Sequence, residues 1–363
     1  MTAERTRFVR RFGEIGILDR ASAGGKGASL GELKRAGIRV PPGCVVTTGA
    51  FEEFLAEMDP DACIRKSMEN LSSGDLAACS KAAQEASARF DRASFPLDLR
   101  EEIESHYNEL CDARCGGEPS QAVAVRSSAT SEDSASASFA GLQDTYLWVR
   151  GAASVVEHVR KCWSSLYTVE SVTYRRRLGL PERGLEMGVV IQRMIDPRCS
   201  GVMFTRSPAT GDRSVVVVEA SWGLGSAVVS GEVTPDKYVV GKITREIVSK
   251  NISRKMRLHR PNADGAGVIA EEVSPDLQSA VCLRDAELEE LVAIAKRIED
   301  HYGCPQDIEW ALAKNLPAGE NIYILQSRPE TAWAGNDAGP VAAPKSKPFD
   351  HVFSLLGGGA AKK

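Results

Sequence analysis

Gln306-Asp307-Ile308-Glu309-Trp310-Ala311-Leu312, followed by Ile322-Tyr323-Ile324-Leu325-Gln326-Ser327-Arg328-Pro329, alternates in character with the two-residue rhythm of β-strands. Between them Pro317-Ala318-Gly319-Glu320-Asn321 supplies turn residues, so the two runs are expected to pair as neighbouring strands. Strand geometry places Asp307, Glu309 and Ala311 on one face and Ile308, Trp310 and Leu312 on the other. On the second strand Ile324, Gln326 and Arg328 are expected to share a face. A carboxylate, an amide and a guanidinium would then converge above an apolar layer. Oxygen donors suit Mg²⁺ and a guanidinium suits phosphate, so this surface reads as the floor of a polyphosphate site.

Working outward, Gly188-Val-Val-Ile-Gln-Arg-Met194 reads as a buried strand running into a hinge. Such a hinge can offer backbone to the edge of an adenine ring while Met and Val cover its faces; the same run also fits a plain core strand. Upstream, Gly24-Gly25-Lys26-Gly27 opens a helix expected over Ala28 to Ala36, which Gly37 ends. Glycines allow close approach of a phosphate to a helix N-terminus, yet the spacing is not that of a Walker A loop, and a simple capping turn fits equally. Arg126 closes the apolar strand Ala122-Val-Ala-Val-Arg126 and precedes a serine-rich stretch through Ser138, a pattern suited to a lid over phosphates or to a solvated loop. Glu219, ahead of Trp222-Gly-Leu-Gly225, could add a ribose contact or be ordinary strand-end chemistry.

The rest of the chain is organised around these segments. Residues 50–115 carry helical periodicity, and an amphipathic helix is expected over Ser154 to Leu178. From Gly188 the texture changes to short strands and turns, with a polar segment over Arg254 to Val273 and one helix over Asp285 to Tyr302. Residues 334–363 are rich in Gly, Ala, Pro and Lys and read as a flexible tail or linker. At 363 residues the chain suits two or three lobes, and 43% hydrophobic with 26% charged residues is ordinary for a globular protein. A net charge of −4 gives no reason to expect nucleic acid as a partner, and no apolar run approaches a membrane span or a secretory signal. Nine cysteines without C-x-x-C pairs read as free thiols, hence a cytoplasmic protein. None of the five histidines has a glycine-rich or nucleophile-like setting.

In order, the blocks GGKGASLGELKRAGIRVPPG, AVRSSATSEDSASASFAGLQDTYL, VVIQRM, SGVMFTRSPATG, ASWGLGSAVVSGEVTPDKYVV, DIEWAL and ILQSRP resemble the N-terminal ATP-binding domain of the phosphoenolpyruvate synthase, pyruvate phosphate dikinase and rifampicin phosphotransferase family. The resemblance spans roughly residues 12–333. It implies an α+β, ATP-grasp fold whose two lobes enclose the nucleotide, 1–187 with a helical insertion at about 50–115 and 188–333. It implies ATP and Mg²⁺ as cofactors. Lys26, Arg126 and Arg328 correspond to the phosphate-binding, catalytic cations; Gln192, Arg193 and Met194 to the adenine hinge; Glu309 and Gln326 to metal and phosphate ligands. Two departures stand out. Ser134-Ala-Ser136 replaces a common Leu-Pro-Asp run in the lid, and Ser226 stands where a glutamate usually follows Gly225.

Family members usually continue into a phosphohistidine domain marked by Gly-Gly-x-Thr-Ser-His-Ala, and this sequence contains no such segment. The resemblance therefore implies a dikinase subunit that phosphorylates a histidine on a partner, releasing AMP and phosphate, with a small-molecule acceptor bound mainly by that partner. The architecture is similar to that of the split phenylphosphate synthases, which makes phenol the expected acceptor. The alternatives are a phosphoenolpyruvate synthase-type subunit acting on pyruvate and a non-catalytic nucleotide sensor.

Overall fold

Leu33, Ala36 and Ile38 end the first long helix, and the way they do so shows how this chain is built. In the computed structural model, which describes residues 8–333 apart from 73, 114, 115, 131–143, 263, 264 and 266, helix α1 runs from Arg20 to Arg35. Gly37 adopts φ +70°, and the Ile38 N–H returns to the Leu33 carbonyl at 3.0 Å, closing the helix with a left-handed glycine. The helix begins earlier than the sequence predicts. A first turn from Arg20 is interrupted at Gly24, whose φ of 69° and ψ of 176° kink the axis before the helix resumes.

Two antiparallel sheets with flanking helices form the body of this α+β chain. The first has five strands in the order β1 (Val9–Arg11), β2 (Gly43–Val46), β5 (Met187–Arg193), β3 (Val123–Ala129) and β4 (Thr145–Val149). The second has six: β13 (Ile322–Pro329), β12 (Gln306–Ala313), β6 (Pro197–Phe204), β7 (Val215–Trp222), β8 (Asp236–Gly241) and β9 (Ile247–Asn251). A separate ribbon pairs β10 (Arg257–Pro261) with β11 (Val268–Glu272). Met1–Glu330 forms one compact unit, to which all contacts below belong.

The strand that follows the expected 187/188 boundary pairs within the first sheet. β5 lies between β2 and β3, with Ile191 opposite both Cys44 and Val125, so residues 188–193 belong to the first sheet. The chain changes sheet between Arg193 and Pro197. The change of texture at Gly188 marks a strand with neighbours on both sides, which reads as a continuous apolar run.

Each sheet has its own core. The first buries Val123, Val125, Val189 and Ile191 against α2 (Thr48–Met58), α4 (Leu76–Arg92), α5 (Leu97–Leu110) and α6 (Ala152–Ser164). Phe54, Phe95 and Trp163 meet there with ring centroids 4.9 to 5.7 Å apart. These helices realise most of the periodicity of 50–115. The single helix expected over Ser154 to Leu178 is instead two: α6 stops at Ser164, a 3-10 turn spans Ser165–Tyr167, and α7 (Val169–Arg177) starts afresh. Thr168 accepts from the Ser171 N–H at 3.2 Å, and this cap nucleates the new helix.

The second core packs Met203, Val216, Val218, Ile308, Trp310 and Leu312 against α10 (Asp285–Tyr302), whose bounds agree with the sequence reading. Helix α1 joins the two cores. Leu30 packs with Val45 and Val190 of the first sheet, Leu33 belongs to the second core, and the Ser29 hydroxyl donates to the Ser327 carbonyl at 2.7 Å. The polar segment Arg254 to Val273 holds the β10–β11 ribbon. No helix among the described residues is long and apolar enough to cross a membrane.

Candidate functional site

The β12–β13 pair forms as read, with Asp307 opposite Arg328 and Glu309 opposite Gln326. One face assignment fails. A register shift between Glu309 and Trp310 sets Trp310 opposite Ile324 and leaves Leu325 as the extra residue of a β-bulge. Ile324 therefore turns into the core, 1% exposed beside Trp310, and does not share the face of Gln326 and Arg328. The bulge has a local effect: the Leu325 carbonyl turns out of the ladder and accepts from Arg126 Nη1 at 3.0 Å.

Arg126 is the meeting point of the two sheets. It sits on β3, opposite Val190 of β5, and its guanidinium crosses to β12 and β13. Nη2 donates to Gln326 Oε1 and, at 3.1 Å, to Glu309 Oε2. The Arg126 side chain is 9% exposed and that of Glu309 30%. Two hard oxygens from different strands thus converge on one cationic nitrogen. Arg126 Nε is buried without a hydrogen-bond partner, so the guanidinium retains a donor.

A cavity of about 320 Å³ opens beside this contact. Arg126 and Glu309 line one end; Leu147, Met194, Ile195, Pro197 and Leu224 give the rest an apolar character. Gln192, Arg193, Ser200, Gly225 and Ser226 complete the polar parts of its wall. Gln192 is 2% exposed, and its Nε2 is buried with no hydrogen-bond partner, an amide donor at the cavity wall. A slot with an apolar end and a charged end can take a flat heterocycle and an anion joined by a linker.

The register fixes the order of residues along the floor. One cross-strand row runs Gln326, Glu309, Val202, Glu219, Lys237; the next row on the same face toward Pro197, two residues on, runs through Ala311, Ser200 and Ser221; the next the other way runs Arg328, Asp307, Phe204. Glu219 accordingly shares the row of Glu309 but stands two strands away, where it pairs with Lys237 at 3.5 Å and does not line the cavity. Arg328, at the row beyond the Arg126 contact, meets Asp307 at 3.4 Å and is 44% exposed. Neither is brought into the cavity, although Arg328 extends the polar end of the same face.

Lys26 is also outside the lining. It follows the Gly24 kink on α1, and its positive charge acts on Cys162, partly opposing the burial that holds this thiol far above its usual value. The glycine turn has a packing reason of its own. A Cβ at Gly24 would lie 1.8 Å from the Ser128 carbonyl oxygen. Ser128 donates to the Ala23 carbonyl at 2.8 Å and accepts from the Gly27 N–H at 3.0 Å, so this amide already has a protein partner.

The N–H groups of Arg193 and Met194 donate to Pro42 and Ala122 carbonyls at 2.8 and 2.9 Å, because β5 is a central strand. At this end the cavity wall offers the Gln192 amide and the chain at Ile195. Sequence reasoning missed Leu147, Leu224 and the Leu325 carbonyl. Gly225 and Ser226 carried a signal, since a Gly-Leu-Gly-Ser turn after an apolar strand brings backbone close to a ligand. The expected lid departures at Ser134 to Ser136 lie outside the described residues.

No cluster of three or more His, Cys, Asp or Glu among the described residues could hold a metal by itself. Glu309 and Gln326 fit Mg²⁺ differently: they offer two hard oxygens at a point that a guanidinium nitrogen occupies, and Mg²⁺ commonly takes only one or two protein oxygens beside phosphate and water. The described cysteines are unpaired, and burial pushes the Cys44 thiol up to about 12, which keeps it neutral.

Residues 20–347 match the family described as pyruvate phosphate dikinase, AMP/ATP-binding domain. A probable phosphoenolpyruvate synthase of Methanocaldococcus jannaschii is 42% identical over 90% of this chain and 27% of its own length. That of Methanothermobacter thermautotrophicus is 40% identical over 90% of this chain and 46% of its own. A rifampicin phosphotransferase of a Streptomyces species is 42% identical over 90% of this chain and 36% of its own. The chain spans less than half the length of these relatives. Among solved structures, an ADP complex of N5-carboxyaminoimidazole ribonucleotide synthetase aligns at 10% identity over 75% of this chain and 62% of that one, with a TM-score of 0.23, too low to bear on the fold.

Proposed function

Because the chain belongs to the pyruvate phosphate dikinase, AMP/ATP-binding domain family, we propose that it is the ATP-activating part of a dikinase-type phosphotransferase, with an ATP-grasp arrangement in which the two sheets act as lobes around Mg·ATP. One observation carries this reading: a single cavity leads from Gln192, Met194 and Ile195 to the point where Arg126 of one sheet meets Glu309 and Gln326 of the other. The base occupies the apolar end and the triphosphate runs toward Arg126.

Glu309 and Gln326 would be the protein ligands of Mg²⁺, which when bound supplies charge neutralisation along the phosphates. Arg126 then turns its guanidinium from these oxygens to the phosphate chain, and its Nε is the donor available for that. Arg328, on the row beyond the Arg126 contact, and Lys26, on α1, are the further cations of this reading. Cations from both sheets hold the transferring group in line, and positioning with charge stabilisation dominates phosphoryl transfer.

The acceptor is a histidine imidazole carried by another domain or a partner subunit; one phosphoryl group goes to its nitrogen and the other to water, so the products are AMP, phosphate and the phosphorylated histidine. Of the final acceptors, the names of the relatives support the phosphoenolpyruvate synthase type more than phenol. The test combines the full chain with a histidine-bearing domain of such an enzyme, Mg·ATP, and pyruvate or phenol, and resolves the nucleotides. AMP is expected. ADP as sole nucleotide product refutes the dikinase reading, and AMP formation supported by phenol alone moves the acceptor to phenol.

A further inference from the structure

Ser226, at the cavity wall, is tied to a histidine and a glutamate that lie outside the cavity lining. Its hydroxyl is 2.8 Å from His259 Nδ1, and His259 Nε2 is 3.2 Å from Glu232 Oε2. The β10–β11 ribbon holds the ring in place: the His259 carbonyl accepts from the Leu224 N–H at 2.9 Å and passes so close to Gly223 that a Cβ there would lie 2.4 Å from it. His259 is largely sheltered, with 14% of its side chain exposed, whereas Glu232 reaches solvent.

The chemistry of this chain of three groups sets the polarity of Ser226. A Glu232 carboxylate only accepts, so in the neutral form of the ring the proton sits on Nε2 and Nδ1 is a lone pair. That lone pair takes the Ser226 O–H. The serine oxygen is then left with lone pairs alone for the cavity, and it favours a ligand group that donates.

The register says which part of a ligand reaches it. Gly225, beside Ser226, faces Ser200: a Cβ on it would be 3.5 Å from the Ser200 hydroxyl oxygen. Ser200 lies in the row of Ala311, one row from Glu309 toward Pro197. Along a strand this is about 7 Å from the charged end. Ser226 therefore borders the middle of the cavity, between the anion end and the apolar end.

We propose that Ser226, fixed as an acceptor by His259 and Glu232, recognises a ribose hydroxyl and makes the site select ribonucleotides over deoxyribonucleotides. The inference rests on the ATP reading above and adds a determinant at the cavity wall. Ser226 contacts the ligand; His259 and Glu232 are positioning residues.

The experiment is a calorimetric titration of the full chain with ATP, 2′-deoxy-ATP and 3′-deoxy-ATP in the presence of Mg²⁺. The wild type is expected to bind at least one deoxynucleotide about five- to tenfold more weakly than ATP, the value of one good hydrogen bond. Ser226→Ala should lose that ratio by weakening ATP alone. His259→Phe should reduce the ratio, and His259→Gln, whose amide oxygen can accept from Ser226, should restore part of it. A merely structural role for the ring would shift all three nucleotides together. Equal binding of all three nucleotides by the wild type, or an unchanged ratio in Ser226→Ala, overturns the inference while leaving the ATP reading intact. No binding of any of them overturns both.

Discussion

Arg126 on one sheet and Glu309 on the other stand 3.1 Å apart, nitrogen to carboxylate oxygen, with Gln326 sharing the same guanidinium nitrogen. One side chain therefore bridges the two sheets directly, at the oxygens proposed above as Mg²⁺ ligands. Its three acceptors come from three different residues and require the planar fork of arginine. Arg126→Lys is not a conservative change here, since an ammonium cannot reach Leu325, Glu309 and Gln326 in the same geometry. Arg126→Ala should lower the phosphoryl-transfer rate at least about 100-fold, in the range for removal of one preorganised charge contact. Arg126→Lys should recover little of it. A lysine variant within threefold of wild type would reduce Arg126 to a simple point charge.

Glu309→Gln removes one hard anionic oxygen and keeps the volume. Mg²⁺ affinity should fall, and transfer should recover in part as Mg²⁺ is raised, whereas Gln326→Leu should recover less because no second protein oxygen remains in the right place. The measurement is the transfer rate as a function of free Mg²⁺. An unchanged Mg²⁺ dependence in Glu309→Gln would mean that the carboxylate serves only to neutralise Arg126.

The parts that were legible in the sequence are those set by local rules. Period-two alternation gave the β12–β13 pair and its apolar layer, Gly37 marked the end of α1, and α10 was read at its observed bounds. Arg126, Gln192, Met194 and Glu309 were singled out from separate segments, and the structure lines one cavity with them. What was hidden depends on partners distant in sequence. The bulge that turns Ile324 inward arises from the register between two strands, and no residue type announces it. β5 reads the same as the start of a second layer or the centre of the first, because burial on both sides erases alternation in either case. The His259 ribbon reads as a polar segment since β10 is mostly half-exposed with two arginines and β11 is mostly exposed and ends in two glutamates.

The glycine turn separates packing from chemistry. Gly24→Ala must place a Cβ against the Ser128 carbonyl at φ +69°, and it should destabilise the fold by at least about 3 kcal/mol. Lys26→Ala leaves that backbone alone. It should unfold at nearly the wild-type denaturant midpoint while transfer slows by the equivalent of about 2–4 kcal/mol. Urea unfolding beside transfer kinetics tests both. A Lys26→Ala enzyme within tenfold of wild type would make the segment a structural turn only.

Glu32 links α1 to two distant places. It accepts from the Ile17 N–H at 3.0 Å and from His301 Nε2 at 2.8 Å, and these bonds, the Ile17 amide first, hold its carboxyl below the usual value of 4.5 despite some opposing burial. A depressed folded-state value stabilises the fold above the unfolded pKa, and that stability is lost as pH falls through the folded one. Glu32→Gln should therefore cost about 1 kcal/mol at pH 7 and progressively less below pH 4, as the wild type loses the same interaction. Urea midpoints at pH 7 and pH 3 measure this. A gap that stays constant across the range would assign the loss to packing.

Gln192 separates a ligand group from a core group in one substitution. Its side chain is 2% exposed, its Nε2 has no hydrogen-bond partner, and it lies on the cavity wall between Met194 and Ala124. A buried donor without an acceptor destabilises the folded state by about 1–3 kcal/mol, so its retention calls for an acceptor that arrives with the ligand. The ring nitrogens of an adenine are such acceptors, and the N–H groups of Arg193 and Met194 are already engaged. Gln192→Leu keeps the approximate volume and removes the amide. The variant should be at least as stable as the wild type to heat, and it should bind Mg·ATP about three- to tenfold more weakly, the loss of one neutral hydrogen bond. Two measurements decide it, a thermal unfolding curve without nucleotide and a titration with Mg·ATP. A variant that melts earlier yet binds ATP as the wild type does would place the amide in the core of the first sheet and return base recognition to the chain beyond Met194.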